Sequence, residues 1–235
     1  MDEPLYLQDS YCRECDAKVL EILEPKKIVL DKNIFYPRGG GQAMDKGQFV
    51  RGTDIFNVVN VEKREGKIVH EVDREGLAVG DSVHCILDWE RRYALMRMHT
   101  AAHILAATFV NETGALITGN QLEVDKTRFD FALENFDRAK FDEVVKKANE
   151  TIAKSIELKI YSLPREEALK IPGVVKLANA LPPSISILRI VEIPGADIQA
   201  DGGTHVKNTS EIGRIEILKL ENKGAANRRI YFTLR

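Results

Sequence analysis

The sequence predicts an α+β fold in two parts: a small β-barrel over residues 1–87 and, over residues 88–235, helices packed on one face of an antiparallel sheet. Three observations predict it. Up to Leu87, short β-branched and apolar runs are separated by turn signals. At Asp88 the pattern changes to a stretch with no Gly or Pro until Gly114. Beyond that stretch strand-like and helix-like segments alternate, and 235 residues can bury the core of one elaborate domain or of two smaller ones.

The elements follow in order. Ala17–Ile22, Lys27–Leu30 and Phe56–Val61 read as strands, and the turn Arg64-Glu65-Gly66-Lys67 leads into Ile68–Val72 as the return strand of a hairpin. Asp88 is suited to an N-cap, so a long helix is expected from Trp89. From Met98 to Val110 its only strongly polar side chains are His99 and His103, which predicts a largely buried helix. Arg128–Phe131 reads as a strand and Arg138–Ser155 as an amphipathic helix. Ser186–Ile190, Arg214–Leu218 and Arg229–Phe232 alternate as strands do. No internal repeat or low-complexity tract is apparent.

Composition sets bounds. With 34 basic and 36 acidic residues the net charge is −2, so a nucleic-acid partner would have to be held by a local patch rather than by a global field. Two patches are candidates: Arg91, Arg92 and Arg97 ahead of the histidines, and Lys219, Lys223, Arg228, Arg229 and Arg235 near the end. The bland reading of both is a solvated face. Cys12, Cys15 and Cys85 make no disulfide framework in a chain of this size, and Cys12-Arg13-Glu14-Cys15 reads as an incidental pair at the mouth of a strand. There is no charged-then-apolar N-terminal signal and no apolar run near the roughly 18 residues of a membrane span. A cytosolic protein without a membrane partner is expected, and no obligate protein partner is evident.

The chemistry concentrates in three motifs. His99 and His103, four apart, share one face of a helix and can reach one ion. Asp201-Gly202-Gly203-Thr204-His205 can complete a nitrogen and oxygen shell of the kind that suits Zn2+. Hydrogen bonds to backbone would be the other way to satisfy two buried imidazoles, and an ordinary hairpin turn the other reading of the glycine pair. The third motif is Phe35-Tyr36-Pro37-Arg38-Gly39-Gly40-Gly41-Gln42, followed by Asp45 and Gly47. Peptide N–H groups at Gly39, Gly40 and Gly41 can receive phosphate or carbonyl oxygen, although the spacing is neither that of a P-loop nor of a dinucleotide fold; a barrel corner is the alternative.

Taken in order, Phe-Tyr-Pro-x-Gly-Gly-Gly-Gln-x-x-Asp-x-Gly, Arg-x-x-His-Thr-Ala-x-His, Arg-Phe-Asp-Phe and Gly-Gly-Thr-His-Val resemble the editing half of alanyl-tRNA synthetases. In size the chain is most similar to the free-standing AlaX-type alanyl-tRNA editing proteins, over a match from about Leu5 to the end. The resemblance implies a glycine-rich β-barrel domain (1–87) and a zinc-containing editing domain (88–235). It implies one Zn2+ held by His99, His103, Asp201 and His205, and hydrolysis of serine, and of glycine, wrongly attached to tRNA(Ala). The partner it implies is the acceptor end of a mischarged tRNA, touched by Gly39, Gly40, Gly41 and the arginines Arg91, Arg92, Arg97, Arg228 and Arg229. Candidates for hydrogen bonding the serine hydroxyl are Asn33 and Gln42, then Thr100 and Thr204.

Two positions depart from the family pattern. The zinc motif usually reads Cys-Gly-Gly-Thr-His, and here Asp201 stands at the cysteine. Either Asp201 ligates directly, or three histidines hold the ion while Asp201 orients a bound water from behind them. Asn33 stands where the family commonly has a threonine facing the amino-acid pocket, which leaves room for another substrate such as Ser-tRNA(Thr). A silent tRNA- or zinc-binding module is the reading from a different class.

Overall fold

The computed structural model describes residues 3–133, 137–175, 185–224 and 227–235. It resolves into two compact units, Met1–Met96 and Arg97–Arg235.

The first unit carries a short helix, α1 (Leu5–Gln8), and six strands: β1 (Glu14–Glu24), β2 (Lys27–Leu30), β3 (Gly47–Arg51), β4 (Asp54–Arg64), β5 (Lys67–Val72) and β6 (Ser82–Leu87). They close into a barrel in the order β1-β2-β5-β4-β3-β6, with every neighbouring pair antiparallel. Closure removes the unpaired edges that an open sheet would present. Alternation sends Ala17, Val19, Phe56, Val58, Val83, Cys85 and Leu87 inward, where they pack with Phe35 and Phe49. The predicted hairpin is present: Arg64 pairs with Lys67 across a two-residue turn in which both Glu65 and Gly66 have positive φ. The predicted runs fall within β1, β2, β4 and β5, while β3 and β6 were not foreseen. β3 is five residues long with one fully buried side chain, Phe49, too little for a period to show.

One polar strut lies inside this unit. The guanidinium of Arg92 is 0% exposed and donates to both carboxylate oxygens of Asp45 and to the backbone carbonyls of Ser10 and Ile34. Asp45 in turn accepts the Tyr36 N–H at 2.6 Å.

The long helix α2 (Trp89–Thr113) begins where expected, with Asp88 Oδ1 accepting the Arg91 N–H at 3.1 Å, and ends before Gly114. Its residues from Arg97 onward belong to the second unit. There the strands β7 (Leu116–Leu122), β8 (Thr127–Ala132), β12 (Ile215–Asn222) and β13 (Asn227–Leu234) form a sheet in the order β12-β13-β8-β7. A second sheet, β11-β10-β9, is built from β9 (Lys159–Pro164), β10 (Ile187–Ile193) and β11 (Asp197–Ala200), all antiparallel. In sequence α3 (Arg138–Ile152), capped by the Asp137 carboxylate on the Ala139 and Lys140 N–H groups, lies between β8 and β9, and the single turn α4 (Arg165–Ala168) follows β9. Phe109 of α2 stacks on Phe131 of β8 at 4.3 Å between ring centres and lies 5.5 Å from Phe141 of α3, so aromatic contact ties α2 to the sheet and α3 to α2. No helix among the described residues is long and apolar enough to cross a membrane.

Candidate metal centre

The histidines of α2 meet the Asp201–His205 loop. His99, His103, Asp201 and His205 each offer a ligand atom, and these atoms lie within 4.8 Å of one another. The three imidazole rings pack mutually, with centres 4.5–5.0 Å apart. His205 Nε2 lies 3.0 Å from Asp201 Oδ2, and His99 Nε2 lies 3.7 Å from Asp201 Oδ1.

The backbone path of the loop is held from two sides. β11 runs into it, and the ladder continues through the Asp201 N–H to the Arg189 carbonyl at 3.0 Å. Arg189 Nη1 then donates to the carbonyls of Asp201 and Gly203, at 3.0 and 3.1 Å. The Gly203 N–H donates to Asp201 Oδ2 at 2.5 Å, turning the carboxylate toward the imidazoles. Gly203 has to be glycine: a Cβ there would stand 2.1 Å from Cε1 of His99. Arg189 was not singled out from sequence, because a lone arginine in a β-alternating run gives no sign of which carbonyls it will meet.

Two of the histidines have partners on the side away from the cluster. His103 Nδ1 is 2.9 Å from a carboxylate oxygen of Asp197, and that oxygen also accepts from Gln199 Nε2 at 2.8 Å. His205 Nδ1 is 3.2 Å from Thr100 Oγ1, which accepts the Val206 N–H at 3.3 Å. Both histidines therefore turn Nε2 inward. Asp197 and Gln199 were missed at the sequence level, where the four residues of β11, two of them polar, show no apolar run.

The electrostatics suit ligation. Burial pushes the His99 imidazole well below its ordinary range, the Asp201 charge only partly opposing it, and pushes His205 down to about 4 against its bond to Asp201. Burial alone would raise Asp201, but the neighbouring His99 and the His205 bond overcome it and hold the carboxyl well below the usual carboxylate range. Neutral imidazoles beside an ionised carboxylate are the protonation states a metal requires. Three imidazole nitrogens and one carboxylate oxygen form a donor set that fits Zn2+.

The remaining candidates from the sequence fall as follows. Thr100 and Thr204 are both fully buried in the second unit, Thr100 behind His205. Asn33, Gln42 and the glycines belong to the first unit. Asn33 holds a local turn: Oδ1 accepts the Phe35 N–H and approaches His70 Nε2 at 2.8 Å, and Nδ2 donates to the Phe35 carbonyl. Its amide is thus engaged inside the barrel. Gly39 and Gln42 exchange backbone hydrogen bonds around Gly40 and Gly41, both at positive φ, so the glycine run is a tight turn closed by a fully buried Gln42.

The arginines need one correction. Arg92, expected on a nucleic-acid patch, is an internal strut on Asp45 and has no face toward solvent; charge counting along the chain does not distinguish a buried guanidinium from an exposed one. Of the others, Arg91 Nε donates to the Met44 carbonyl and Arg97 to the Ile212 carbonyl. Arg228 is largely buried and donates to Asn222 and the Gly224 carbonyl, and Arg229 forms a two-pronged pair with Asp130.

Comparison with known proteins agrees with this geometry. Residues 188–231, which include the Asp201–His205 loop, match the threonyl and alanyl tRNA synthetase second additional domain, and residues 10–91 match the class II (A) tRNA synthetases. The chain is 52% identical to the alanyl-tRNA editing protein AlaX-M of Saccharolobus solfataricus, with all of both chains covered. It is 49% identical to the AlaX-M of Methanosarcina barkeri, over 100% of this chain and 99% of that one. The alanine–tRNA ligase of Staphylothermus marinus is 40% identical over 92% of this chain, which spans 24% of the ligase. Both full-length relatives carry the same name at identities far above 30%, and the chain belongs to the AlaX-M family of alanyl-tRNA editing proteins.

Proposed function

We propose that this protein is a free-standing editing hydrolase that deacylates mischarged tRNA(Ala), chiefly Ser-tRNA(Ala) and also Gly-tRNA(Ala), with one Zn2+ at its site. The observation that carries the proposal is the convergence of His99, His103, Asp201 and His205 in a chain of this family. Those four residues would hold the ion. When bound, it supplies a charge that can polarise a water or anchor the amino-acid end of the substrate.

The bond to be cleaved is the ester between an amino acid and the terminal ribose. It is already activated, so positioning and a polarised carbonyl suffice. Selectivity follows from pocket energetics. A synthetase pocket for alanine tolerates one added hydroxyl and rejects serine only about a hundredfold. A second site that hydrogen-bonds that hydroxyl spares alanine, which would leave its polar groups unpaired. Thr204 of the second unit and, separately, Gln42 of the first are each candidates for that hydrogen bond on polarity and family resemblance. Thr100 is assigned to hold His205, on its 3.2 Å contact.

The test is deacylation of Ser-tRNA(Ala), Gly-tRNA(Ala) and Ala-tRNA(Ala) by the zinc-loaded protein, its Gln42→Ala variant and its Asp201→Cys variant. Loss of serine with alanine spared is expected, slowed in Gln42→Ala and retained in Asp201→Cys. Turnover only in the cysteine variant would replace the proposal with a decayed site. Turnover of Ser-tRNA(Thr) instead would move the substrate.

A further inference from the structure

Behind the ligand cluster stands a buried carboxylate with no part in the ligand set. Asp197 and Gln199 are alternate residues of β11, so they face the same way, and β11 is fixed by its register on β10 with Asp197 opposite Ile193 and Gln199 opposite Val191. The side chain of Asp197 is 0% exposed. An ionised carboxylate in such a position is costly unless its lone pairs are satisfied. One oxygen meets both His103 Nδ1 at 2.9 Å and Gln199 Nε2 at 2.8 Å. Gln199 Nε2, which can only donate, also lies 3.3 Å from His103 Nδ1, but its bond to the carboxylate at 2.8 Å is the shorter, so the carboxylate oxygen is the acceptor and His103 meets it at 2.9 Å with an Nδ1–H.

We infer that Asp197 is a positioning residue for the metal centre: it fixes His103 as the tautomer whose Nε2 faces His99, Asp201 and His205, and it strengthens that nitrogen as a donor, with Gln199 locking the carboxylate in place. The inference rests on the metal reading of the cluster and adds to it a residue outside the ligand set. On its outer nitrogen His205 meets the neutral hydroxyl of Thr100, so the two histidines are unequal there: His103 is the one whose Nδ1 meets a carboxylate. Carboxylates that hold a ligating histidine in this way contribute tenfold to a hundredfold in metal affinity.

The experiment uses the full chain and Co2+ as the probe. Affinity is measured by chelator competition, and the histidine nitrogens and their protons are followed by NMR. The wild type is expected to bind Co2+ with the visible absorption of a low-coordinate site. Asp197→Ala should bind roughly 10- to 100-fold more weakly. Asp197→Asn, which keeps an acceptor and loses the charge, should fall between the two, and Gln199→Ala should show a smaller loss. In the metal-free wild type a strongly downfield Nδ1 proton on His103 is expected, weakened in Asp197→Asn. That signal and the partial rescue by asparagine separate positioning from mere structural support. If Asp197→Ala does not fold, Asp197→Asn and Gln199→Ala carry the test. Wild-type affinity in Asp197→Asn together with an unchanged Nδ1 proton would overturn the inference while leaving the metal reading intact. A wild type that takes up no Co2+ would overturn the metal reading, and this inference with it.

Discussion

Gly203 and Arg92 show how much a single side chain, or its absence, decides here. A methyl group on Gly203 would overlap the His99 ring, with Cε1 and Nδ1 at 2.1 and 2.3 Å, and the neighbour is an imidazole wedged in a buried helix, not a flexible tip. Gly203→Ala is therefore expected to displace His99 and cost at least about tenfold in metal affinity, a change of about 1.4 kcal/mol or more, with far-UV circular dichroism unchanged. Metal affinity equal to wild type in that variant would contradict the packing argument. Arg92 makes the opposite case. Breaking a buried ion pair by removing one partner leaves the other charge uncompensated, at about 3–5 kcal/mol. Arg92→Met should lose stability of that order in urea denaturation, and removing Asp45 as well should recover most of it; a loss of tRNA affinity without loss of stability would restore Arg92 to the nucleic-acid patch. His99, His103, Asp201 and His205 were legible in the sequence because helical spacing and a Gly-Gly turn are local signatures. Arg189, Asp197 and Gln199 were not, since each acts through a partner reached only when strand β10 or β11 is in register.

At the scale of elements, the barrel encloses a histidine that ties three of its segments. His70 of β5 contacts the Ile28 carbonyl of β2 and the Asn33 amide, and packs edge-on against Phe35 and Phe49 at 5.5 and 5.4 Å. Burial pushes its imidazole down to about 4, the Ile28 carbonyl opposing the shift without cancelling it. The unfolded chain therefore binds the proton more tightly than the folded one. Stability from this group is fully present above about pH 6.5 and is lost as the pH falls toward about 4, by about 3 kcal/mol across that window. Urea denaturation at pH 7 and pH 4.5 measures it: the wild type should lose more stability over that interval than His70→Gln. Equal losses would place the acid sensitivity elsewhere. Length alone did not decide which elements were legible: β2, of four residues, showed as an apolar run, and β6, of six, did not. β4 and α3 carry several alternations or turns, and their periodicity showed; α2 showed instead as an N-cap followed by a long stretch without Gly or Pro, and β3 and β11 derive their place from the strands beside them. The local bonds of Asn33 to Phe35 and His70 were likewise not visible in the sequence, where only its polarity showed.

For the whole molecule the question is how a chain of net charge −2 engages a polyanion. The cations of the second patch are largely answered by local acids: Arg229 by Asp130, Arg235 by Glu216, and Lys219 and Lys223 together by Glu221. With Arg92 buried, the first patch is smaller than the sequence suggested. Binding that rests on many phosphate contacts would need a cationic surface free of such pairing, so contact with only a few phosphates at the acceptor end is the expectation. Each contact contributes about 0.7 to 0.9 to the slope of log affinity against log salt, so about three contacts give a slope near −2 to −3. On that basis kcat/KM for deacylation should fall roughly 15- to 60-fold between 50 and 200 mM KCl. A serylated acceptor-stem minihelix should show the same slope as full-length tRNA, because the phosphates in play belong to the acceptor end. A much steeper slope on full-length tRNA than on the minihelix would mean that the protein reaches beyond the acceptor stem, and would send the search for its nucleic-acid face to surfaces outside the two patches considered.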